Sequence, residues 1–159
     1  MPPHYSLFVA QPIPRTAARV LLIDEADRIL LFHGIDPANP ADVYWVTPGG
    51  GLDPGETPAQ GASRELFEET GLRVNPAELG EPVFRNVIEF SFDRRSYRQE
   101  QDFFLLRVPS WEVDTSNFDD TERIAVDGHR WWSVAELEST PECIYPEVLP
   151  SLLRSLVEV

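Results

Sequence analysis

Glutamates are concentrated in one predicted helix that directly follows a glycine-rich loop. Residues 50–72 read GGLDPGETPAQGASRELFEETGL. At about 100° per residue in an α-helix, Glu65, Glu68 and Glu69 lie within an arc of roughly 100° on one face. Like charges at this spacing repel one another, and Arg64 is the only basic residue in the run. Such a face is either a solvated acidic surface or a site that holds cations.

The loop before the helix favours a cation site. Gly49, Gly50 and Gly51 allow the backbone to pass close to another group, and Gly55 permits a second tight turn before Glu56. Hard divalent cations take oxygen ligands from carboxylates and backbone carbonyl groups, and they retain water or substrate phosphate oxygens. The segment therefore predicts a Mg²⁺ or Mn²⁺ site.

The helix has clear start and stop signals. Thr57 is a good N-cap, Pro58 suits the first helical position, and Gln60 completes a T-x-x-Q capping box. Gly71 stands where a left-handed residue would end the helix. These signals predict a helix over residues 58–70.

The same segment resembles the signature of the Nudix hydrolases, G-x5-E-x7-R-E-U-x-E-E-x-G-U, in which U is a bulky apolar residue. Every fixed position of that signature is filled, by Gly50, Glu56, Arg64, Glu65, Leu66, Glu68, Glu69, Gly71 and Leu72. The resemblance implies an α/β fold, a three-layer α/β/α sandwich with a mixed β-sheet. It also implies metal-dependent hydrolysis of a nucleoside diphosphate linked to another moiety X, with water attacking one phosphorus of the diphosphate.

The resemblance also assigns roles to the metal-binding residues. Glu65, Glu68 and Glu69 match the metal-ligating positions of the family, and Glu68 and Glu69 are expected to bind the metal most directly. The carbonyl group of Gly49, or of a neighbouring glycine, is expected to add a backbone ligand. The expected cofactor is Mg²⁺ or Mn²⁺.

Other positions are expected to shape the site and to supply the general base. Glu56 and Arg64 match site-shaping positions, and an ion pair of Arg64 with Glu56 or with another carboxylate of the signature is expected to fix its orientation. The general base is Glu65, Glu100 or Glu122; the last two resemble places where relatives recruit an additional carboxylate. A solvent-facing acid is the alternative explanation for each of those two.

The remaining sequence predicts one domain over residues 17–159, preceded by an extended, proline-rich N-terminal arm over residues 1–16 that includes a short edge strand. Turn residues at 36–42 predict a loop, and the acidic stretch 109–128 is long enough to be a lid or site loop. Strands are predicted at 17–23, 28–33, 44–47, 83–92, 97–108 and 130–133, and an amphipathic helix at 146–157. The first two strands are expected to form a hairpin, and strands 83–92 and 97–108 a second, longer hairpin with its turn at 93–96.

Composition limits the function classes. A chain of 159 residues with 42% hydrophobic content is one globular domain of ordinary size. Its net charge of −14 argues against a nucleic acid polymer or an anionic membrane as partner. A small phosphorylated substrate is compatible with that charge if metal ions and local arginines reverse the field at the site. There is no signal-peptide pattern and no apolar run long enough to span a bilayer, so a cytoplasmic location is expected.

The sequence leaves the substrate and two other functions open. Some Nudix subgroups that act on ADP-ribose or dinucleoside polyphosphates carry a proline or tyrosine about fifteen to seventeen residues after the signature; residues 87–89 here read Val-Ile-Glu, which disfavours those substrates. A Nudix-fold sensor that binds a nucleotide without cleaving it is a second reading, opposed by the intact glutamates. An isopentenyl diphosphate isomerase would need a site cysteine, but Cys143, expected to be buried, lies far along the chain. By analogy with the family, the apolar arm is compatible with a homodimer.

Overall fold

The computed structural model describes residues 11–158. A short 3-10 helix covers Pro76–Leu79. The strands are β1 (Ile13–Ile23), β2 (Ile29–Asp36), β3 (Asn39–Val46), β4 (Gly49–Gly51), β5 (Phe84–Phe92), β6 (Arg95–Arg107), β7 (Val126–Trp132) and β8 (Ile144–Tyr145). The helices are α1 (Pro58–Thr70), α2 (Asp120–Ala125), α3 (Val134–Ser139) and α4 (Leu149–Val157).

The strands form one mixed sheet in which β1 is central. The main path runs β5-β6-β1-β2-β3-β8, while β4 pairs with β1 and β7 pairs with β2. Strand β1 runs parallel to β6 over its whole length, from the pair Ile13 and Tyr97 to the pair Ile23 and Arg107. Its pairing with β4 is antiparallel and joins Arg19 to Gly49. The sheet therefore places the glycine loop directly beside the middle of β1.

A hydrophobic core lies on each face of the sheet, because alternate residues of a strand point to opposite faces. On one face, Leu21 of β1 packs with Leu137 of α3 and Leu153 of α4. On the other face, Val20 packs with Ala62 and Leu66 of α1. Helices thus cover both faces, which confirms the α/β/α sandwich that the sequence predicted.

Helix α1 forms as the capping signals predicted. Thr57 accepts a hydrogen bond from the backbone N–H of Gln60, and the Gln60 side chain accepts one from the backbone N–H of Thr57. Pro58 occupies the first turn, and Gly71 ends the helix with a φ of 76°. These caps fix the position of α1, and therefore of its glutamates, relative to the glycine loop.

The long hairpin of β5 and β6 is also confirmed, and its tip reaches across the sheet. Asp93 and Arg94 have φ angles of 49° and 68°, as in the tight turns that match the twist of a hairpin. The backbone N–H of Asp93 donates to Asp36 Oδ1 at the end of β2, over 3.0 Å. Because β5 is an edge strand and β2 is not its neighbour, this contact shows that the sheet curls.

Three predicted boundaries differ from the structure. Strand β1 begins at Ile13, inside the predicted arm of residues 1–16, because its first residues pair with β6; residues 1–10 of that arm lie outside the described residues. The predicted loop 36–42 becomes a turn followed by β3, which includes Pro40. The predicted loop 109–128 contains α2 and the start of β7.

The exposure of Cys143 and the length of the helices address two further expectations from the sequence. Cys143 is exposed, so the prediction of a buried thiol was wrong; the thiol follows the exposed Pro141 and Glu142 and does not join the core beside Ile144. Within residues 11–158, no helix is long and apolar enough to cross a membrane.

Candidate active site

The glycine loop and α1 are held together by close backbone contacts. Gly49 has a φ of 139°, and a Cβ at this position would overlap the Ala18 carbonyl oxygen. Its N–H donates to Glu69 Oε1 over 2.7 Å. A Cβ on Gly50 would lie 2.8 Å from Glu65 Oε1. Glycine is therefore required at position 49 because the backbone of β1 lies against it, and at position 50 because the Glu65 carboxylate does.

Three carboxylates converge at this point. Oxygen atoms of Glu65, Glu69 and Glu122 all lie within 4.8 Å of one another. Glu65 and Glu69 come from α1, whereas Glu122 comes from α2, far along the chain. We call these three residues the carboxylate cluster.

A capping box orients the Glu122 side chain. Glu122 Oε1 accepts from the backbone N–H of Asp119 over 3.1 Å, and Asp119 in turn accepts from the Glu122 N–H. The second oxygen, Oε2, is buried and has no hydrogen-bond partner among residues 11–158. A buried carboxylate oxygen without a partner is rare, and either a cation or a proton shared with Glu69, whose pKa the Glu122 side chain raises by hydrogen bonding, would supply one.

Burial and mutual repulsion disfavour ionisation of the carboxylate cluster. Burial, reinforced by the charges of Glu122 and Glu68, raises the pKa of Glu65 to about 7, although Arg64 opposes this shift. Burial, together with the neighbouring Glu122 and Glu65, raises the pKa of Glu69 well above its ordinary value, and the Gly49 N–H only partly offsets this. Ionising all three groups would concentrate negative charge where water screens it poorly, and a cation would relieve that repulsion.

Arg64 connects the loop to the helix. Its Nε and Nη2 bind the two oxygens of Glu56 over 2.7 and 2.9 Å, which forms the predicted ion pair in bidentate geometry. Nη2 also donates to the Gly51 carbonyl oxygen over 3.1 Å, and Nη1 donates to Glu65 Oε1 over 3.1 Å. The hydrogen bond from Arg64 lowers the pKa of Glu56. One side chain therefore fixes the loop, Glu56 and one member of the cluster together.

Other predicted site residues are placed differently. Glu68 faces Arg64, at 3.3 Å from Nη1, and is not part of the carboxylate cluster. Glu100 is exposed on β6 and lines a surface cavity with Pro14, Thr16 and Arg98. The structure therefore brings Glu122 to Glu65 and Glu69, but not Glu100.

A buried polar network that was not predicted from the sequence lies next to the cluster. Arg19 Nε donates to Gln101 Oε1 over 2.9 Å, and Arg19 Nη1 donates to the Thr47 carbonyl oxygen over 2.8 Å. Burial lowers the pKa of Arg19, while the charges of Glu69 and Glu65 oppose that shift. The only signal in the sequence was an arginine inside an otherwise apolar strand.

The residues present suit a divalent cation. All donors of the cluster are carboxylate oxygens, the ligand type that Mg²⁺ and Mn²⁺ prefer. The unpartnered Glu122 Oε2 and the raised pKa values of Glu65 and Glu69 describe a site that is short of positive charge. The cluster can therefore hold a metal ion.

Similarity to known proteins supports this interpretation of the site. The model of the NUDIX domain matches residues 13–152. The chain is 31% identical over 128 residues to an RNA pyrophosphohydrolase of Yersinia enterocolitica, a match that covers 72% of each chain.

Solved structures show the same fold. A MutT protein from Methanosarcina mazei superposes with a TM-score of 0.65 at 18% identity, covering 92% of this chain and 94% of the other. The ORF135 protein of E. coli gives 0.60 at 21% identity, covering 92% and 91%. The chain therefore belongs to the Nudix family and is a Nudix hydrolase, an enzyme that cleaves a nucleoside diphosphate linked to another moiety.

Proposed function

Within that class, we propose that the chain is a Mg²⁺- or Mn²⁺-dependent pyrophosphohydrolase of a small nucleoside diphosphate derivative, and that Glu65, Glu69 and Glu122 hold the metal. The observation that carries this proposal is the convergence of the three carboxylates within 4.8 Å. The partnerless Glu122 Oε2 adds to it, since a cation would satisfy that oxygen.

Each residue has a distinct task in this proposal. A bound divalent ion would offset the negative charge of the diphosphate and of the transition state. Glu69, bonded to the Gly49 N–H, ties the glycine loop to the cluster. Arg64, itself bound by Glu56, holds Glu65 in position, and Glu68 is a further carboxylate paired with Arg64. The Gly49 carbonyl group remains the proposed backbone ligand.

The proton of the attacking water goes to Glu65 or to Glu122. Both are only partly buried, whereas Glu69 is 7% exposed and already accepts from the loop backbone. A base must come within hydrogen-bond distance of the water that it deprotonates. Glu100, which is outside the cluster, is the weaker alternative.

Glu122→Gln is expected to lower kcat roughly tenfold or more and to weaken metal binding, since metal ligands and the groups around them contribute on this scale. The amide retains an oxygen for the Asp119 N–H, so α2 is expected to stay folded. Steady-state kinetics over a metal titration measures both effects.

The matched control is Glu112→Gln, because Glu112 is an exposed acid in the segment before α2. It is expected to behave as wild type. Equal kinetics for the two variants would remove Glu122 from the site.

Metal affinity is expected to rise steeply with pH between about 5 and 8. Protons compete with the metal for Glu65 and Glu69, whose pKa values are raised in the metal-free protein, to about 7 for Glu65. The folded state of the metal-free protein binds these protons more tightly than the unfolded state. The contribution of Glu65 and Glu69 to its stability is therefore greatest below the ordinary glutamate pKa and is lost as pH rises through their folded-state pKa values.

Thermal unfolding with EDTA and with Mn²⁺ at several pH values tests this expectation. The difference in Tm between the two conditions should widen toward pH 8. A difference that is constant from pH 5 to pH 8 would show that the metal does not displace protons from the cluster.

A second candidate substrate is the triphosphorylated 5′ end of an RNA. It is favoured by the relatives of about 30% identity, which are RNA pyrophosphohydrolases. The net charge of −14 opposes contact with the body of an RNA chain, so that only the first nucleotides would be engaged. Comparing a triphosphorylated dinucleotide with a nucleoside triphosphate separates the two candidates.

We also propose that the protein is cytoplasmic and forms a homodimer.

A further inference from the structure

Strand β5 is a long edge strand that contains no proline. It ends the main path of the sheet, with β6 on one side and no strand on the other in the described part of the chain. It runs for nine residues, Phe84–Phe92. The free backbone groups of such an edge can pair with a strand of another molecule, and proteins often prevent this with proline. The outer edge of β5 is therefore a candidate interaction surface.

The turn of the hairpin determines which backbone groups of β5 face outward. Asp93 and Arg94, both at positive φ, form a two-residue turn that joins Phe92 to Arg95. The pair that flanks such a turn is hydrogen-bonded, and hydrogen-bonded and non-hydrogen-bonded pairs then alternate along the ladder. The residues in non-hydrogen-bonded pairs direct their N–H and C=O groups away from β6. These residues are Arg85, Val87, Glu89 and Ser91.

The side chains at the centre of this outer edge are exposed. Val87 is apolar and is 49% exposed. Arg85 and Glu89, two residues before and after it, are exposed as well. Arg85 Nε lies 3.1 Å from Asp102 Oδ1 on β6, and the other nitrogen atoms of a guanidinium group can bind a second carboxylate. One face of β5 therefore presents an apolar residue between two opposite charges.

This charge pattern is complementary to itself. Two antiparallel copies of β5, related by a two-fold axis at Val87, would place Arg85 opposite Glu89 of the second copy. Each such pair would be hydrogen-bonded, because these residues direct their backbone groups outward. Opposite charges that face each other across two strands are stabilising. The two neighbouring two-fold registers would place Arg85 opposite Val87 or Ser91, and no charge pair would form.

The opposite face of β5 is complementary in the same register. Phe84 would lie opposite Phe90 of the second copy, at a non-hydrogen-bonded position where side chains are closest. Both rings are half-buried, with ring centroids 5.3 Å from Phe103 for Phe84 and 5.4 Å from Tyr97 for Phe90. Aromatic pairs across two strands are favourable. One register therefore satisfies both faces of the strand.

The net charge of the chain restricts where two copies can meet. The protein carries a net charge of −14, so two copies repel each other over most of their surfaces. Residues 84–92 contain one arginine, one glutamate and no other charged side chain, so this strand is neutral. Two β5 edges can therefore approach each other without the repulsion that two acidic surfaces would produce.

We propose that β5 is the dimer interface of this protein: two copies join their β5 edges as an antiparallel pair centred on Val87, with each Arg85 facing Glu89 of the second copy. This interface rests on the homodimer of the proposed function and is independent of the chemistry proposed there. Backbone hydrogen bonds between the two edges supply affinity, and the side-chain pairs determine the register.

The test is sedimentation equilibrium of the full chain over a range of concentrations, combined with hydrogen exchange of the β5 amides. The wild type is expected to form a dimer in which the N–H groups of Val87 and Glu89 exchange at least about tenfold more slowly than in the monomer. A protein that remains monomeric, even with these amides protected by another segment of its own chain, would overturn the proposal. So would a dimer in which these amides exchange as in the monomer.

Val87→Pro separates the interface from the fold. Because the Val87 N–H points away from β6, proline on this edge removes no hydrogen bond between β5 and β6. It removes the hydrogen bonds at the centre of the dimer and is expected to raise the dimer Kd at least about tenfold. Circular dichroism checks that the variant is folded. A dimer as tight as that of the wild type would place the interface elsewhere.

Exchanging the charges tests the register while leaving the backbone unchanged. Glu89→Arg places arginines opposite each other at both ends of the pair and is expected to raise the dimer Kd roughly tenfold. Adding Arg85→Glu restores opposite charges and is expected to return the Kd to within about threefold of wild type. The control is Glu112→Arg, which changes the net charge equally at an exposed acid outside β5 and should dimerise as wild type does. A double variant as weak as Glu89→Arg would overturn the register.

The outcomes distinguish this interface from the proposed hydrolase. Metal-dependent hydrolysis by a protein that is monomeric would leave the hydrolase standing and overturn the interface. A dimer that Val87→Pro disrupts, in a protein that cleaves no diphosphate, would support the interface and contradict the hydrolase.

Discussion

The Glu69→Gln variant is expected to fold as the wild type does and to lose at least about a thousandfold in kcat. Glu69 is 7% exposed, and its Oε1 accepts from the Gly49 N–H, a bond that a glutamine oxygen can keep. The glutamine nitrogen would then face Glu65 and Glu122 as a donor. It would place a neutral hydrogen-bonding group where the cluster otherwise presents negative charge to a metal ion.

The same substitution is expected to raise the Tm of the metal-free protein by a few degrees, roughly 2–4 °C per kcal/mol for a chain of this size. Burial and the neighbouring carboxylates raise the pKa of Glu69, so its charge opposes folding at neutral pH. Exposed Glu78→Gln is the control and should change neither kcat nor Tm. A Glu69→Gln enzyme with wild-type kcat would remove the carboxylate cluster from catalysis.

The Arg64→Lys variant is expected to lose roughly a hundredfold in kcat and about 1–3 kcal/mol of the free energy of unfolding. Arg64 binds both oxygens of Glu56, the Gly51 carbonyl oxygen and Glu65 at once. A lysine ammonium group is compact and cannot reproduce that planar fork. The loop and Glu65 would lose their common anchor.

Urea denaturation and steady-state kinetics measure the two effects. Arg154→Lys is the matched control, because Arg154 also binds two carboxylates, Glu138 and Glu158, but on the exposed surface of α4. Exposed pairs contribute about 0–1 kcal/mol, so this control should be close to wild type. Similar losses in the two variants would show that Arg64 is an ordinary surface arginine.

The helix and the glycine loop could be predicted because their signals are local. The capping box of Thr57 and Gln60, the terminal Gly71 and the spacing of the glutamates all lie within residues 49–72. The ion pair between Arg64 and Glu56 followed from family resemblance and is present. The hairpin of β5 and β6 was predicted for a similar reason, since strand alternation and turn residues are adjacent in sequence.

The assembly of the site could not be predicted, because it depends on long-range pairing. The predicted antiparallel pairing of β1 with β2 is present, but the longer, parallel pairing of β1 with β6 was not predicted. That pairing places Arg19 beside Gln101. Nothing in the local sequence indicates which distant strand will be the neighbour.

The choice between Glu100 and Glu122 was left open for the same reason. Glu122 reaches the cluster because α2 forms within a stretch that was predicted to be a loop. A local signal was present, since Asp119 and Glu122 have the spacing of a capping box. Glu68, which is expected to bind metal directly, lies one turn along α1 from Arg64 and pairs with it.

The most direct test of the hydrolase is a product assay with a defined substrate panel. Purified protein with Mg²⁺, and separately with Mn²⁺, would be incubated with nucleoside triphosphates, ADP-ribose, diadenosine polyphosphates and a triphosphorylated dinucleotide, and the products would be separated by chromatography. Our prediction is cleavage of the diphosphate of at least one substrate, stopped by EDTA and by Glu69→Gln. Cleavage that survives either treatment, or tight binding without any cleavage, would contradict it.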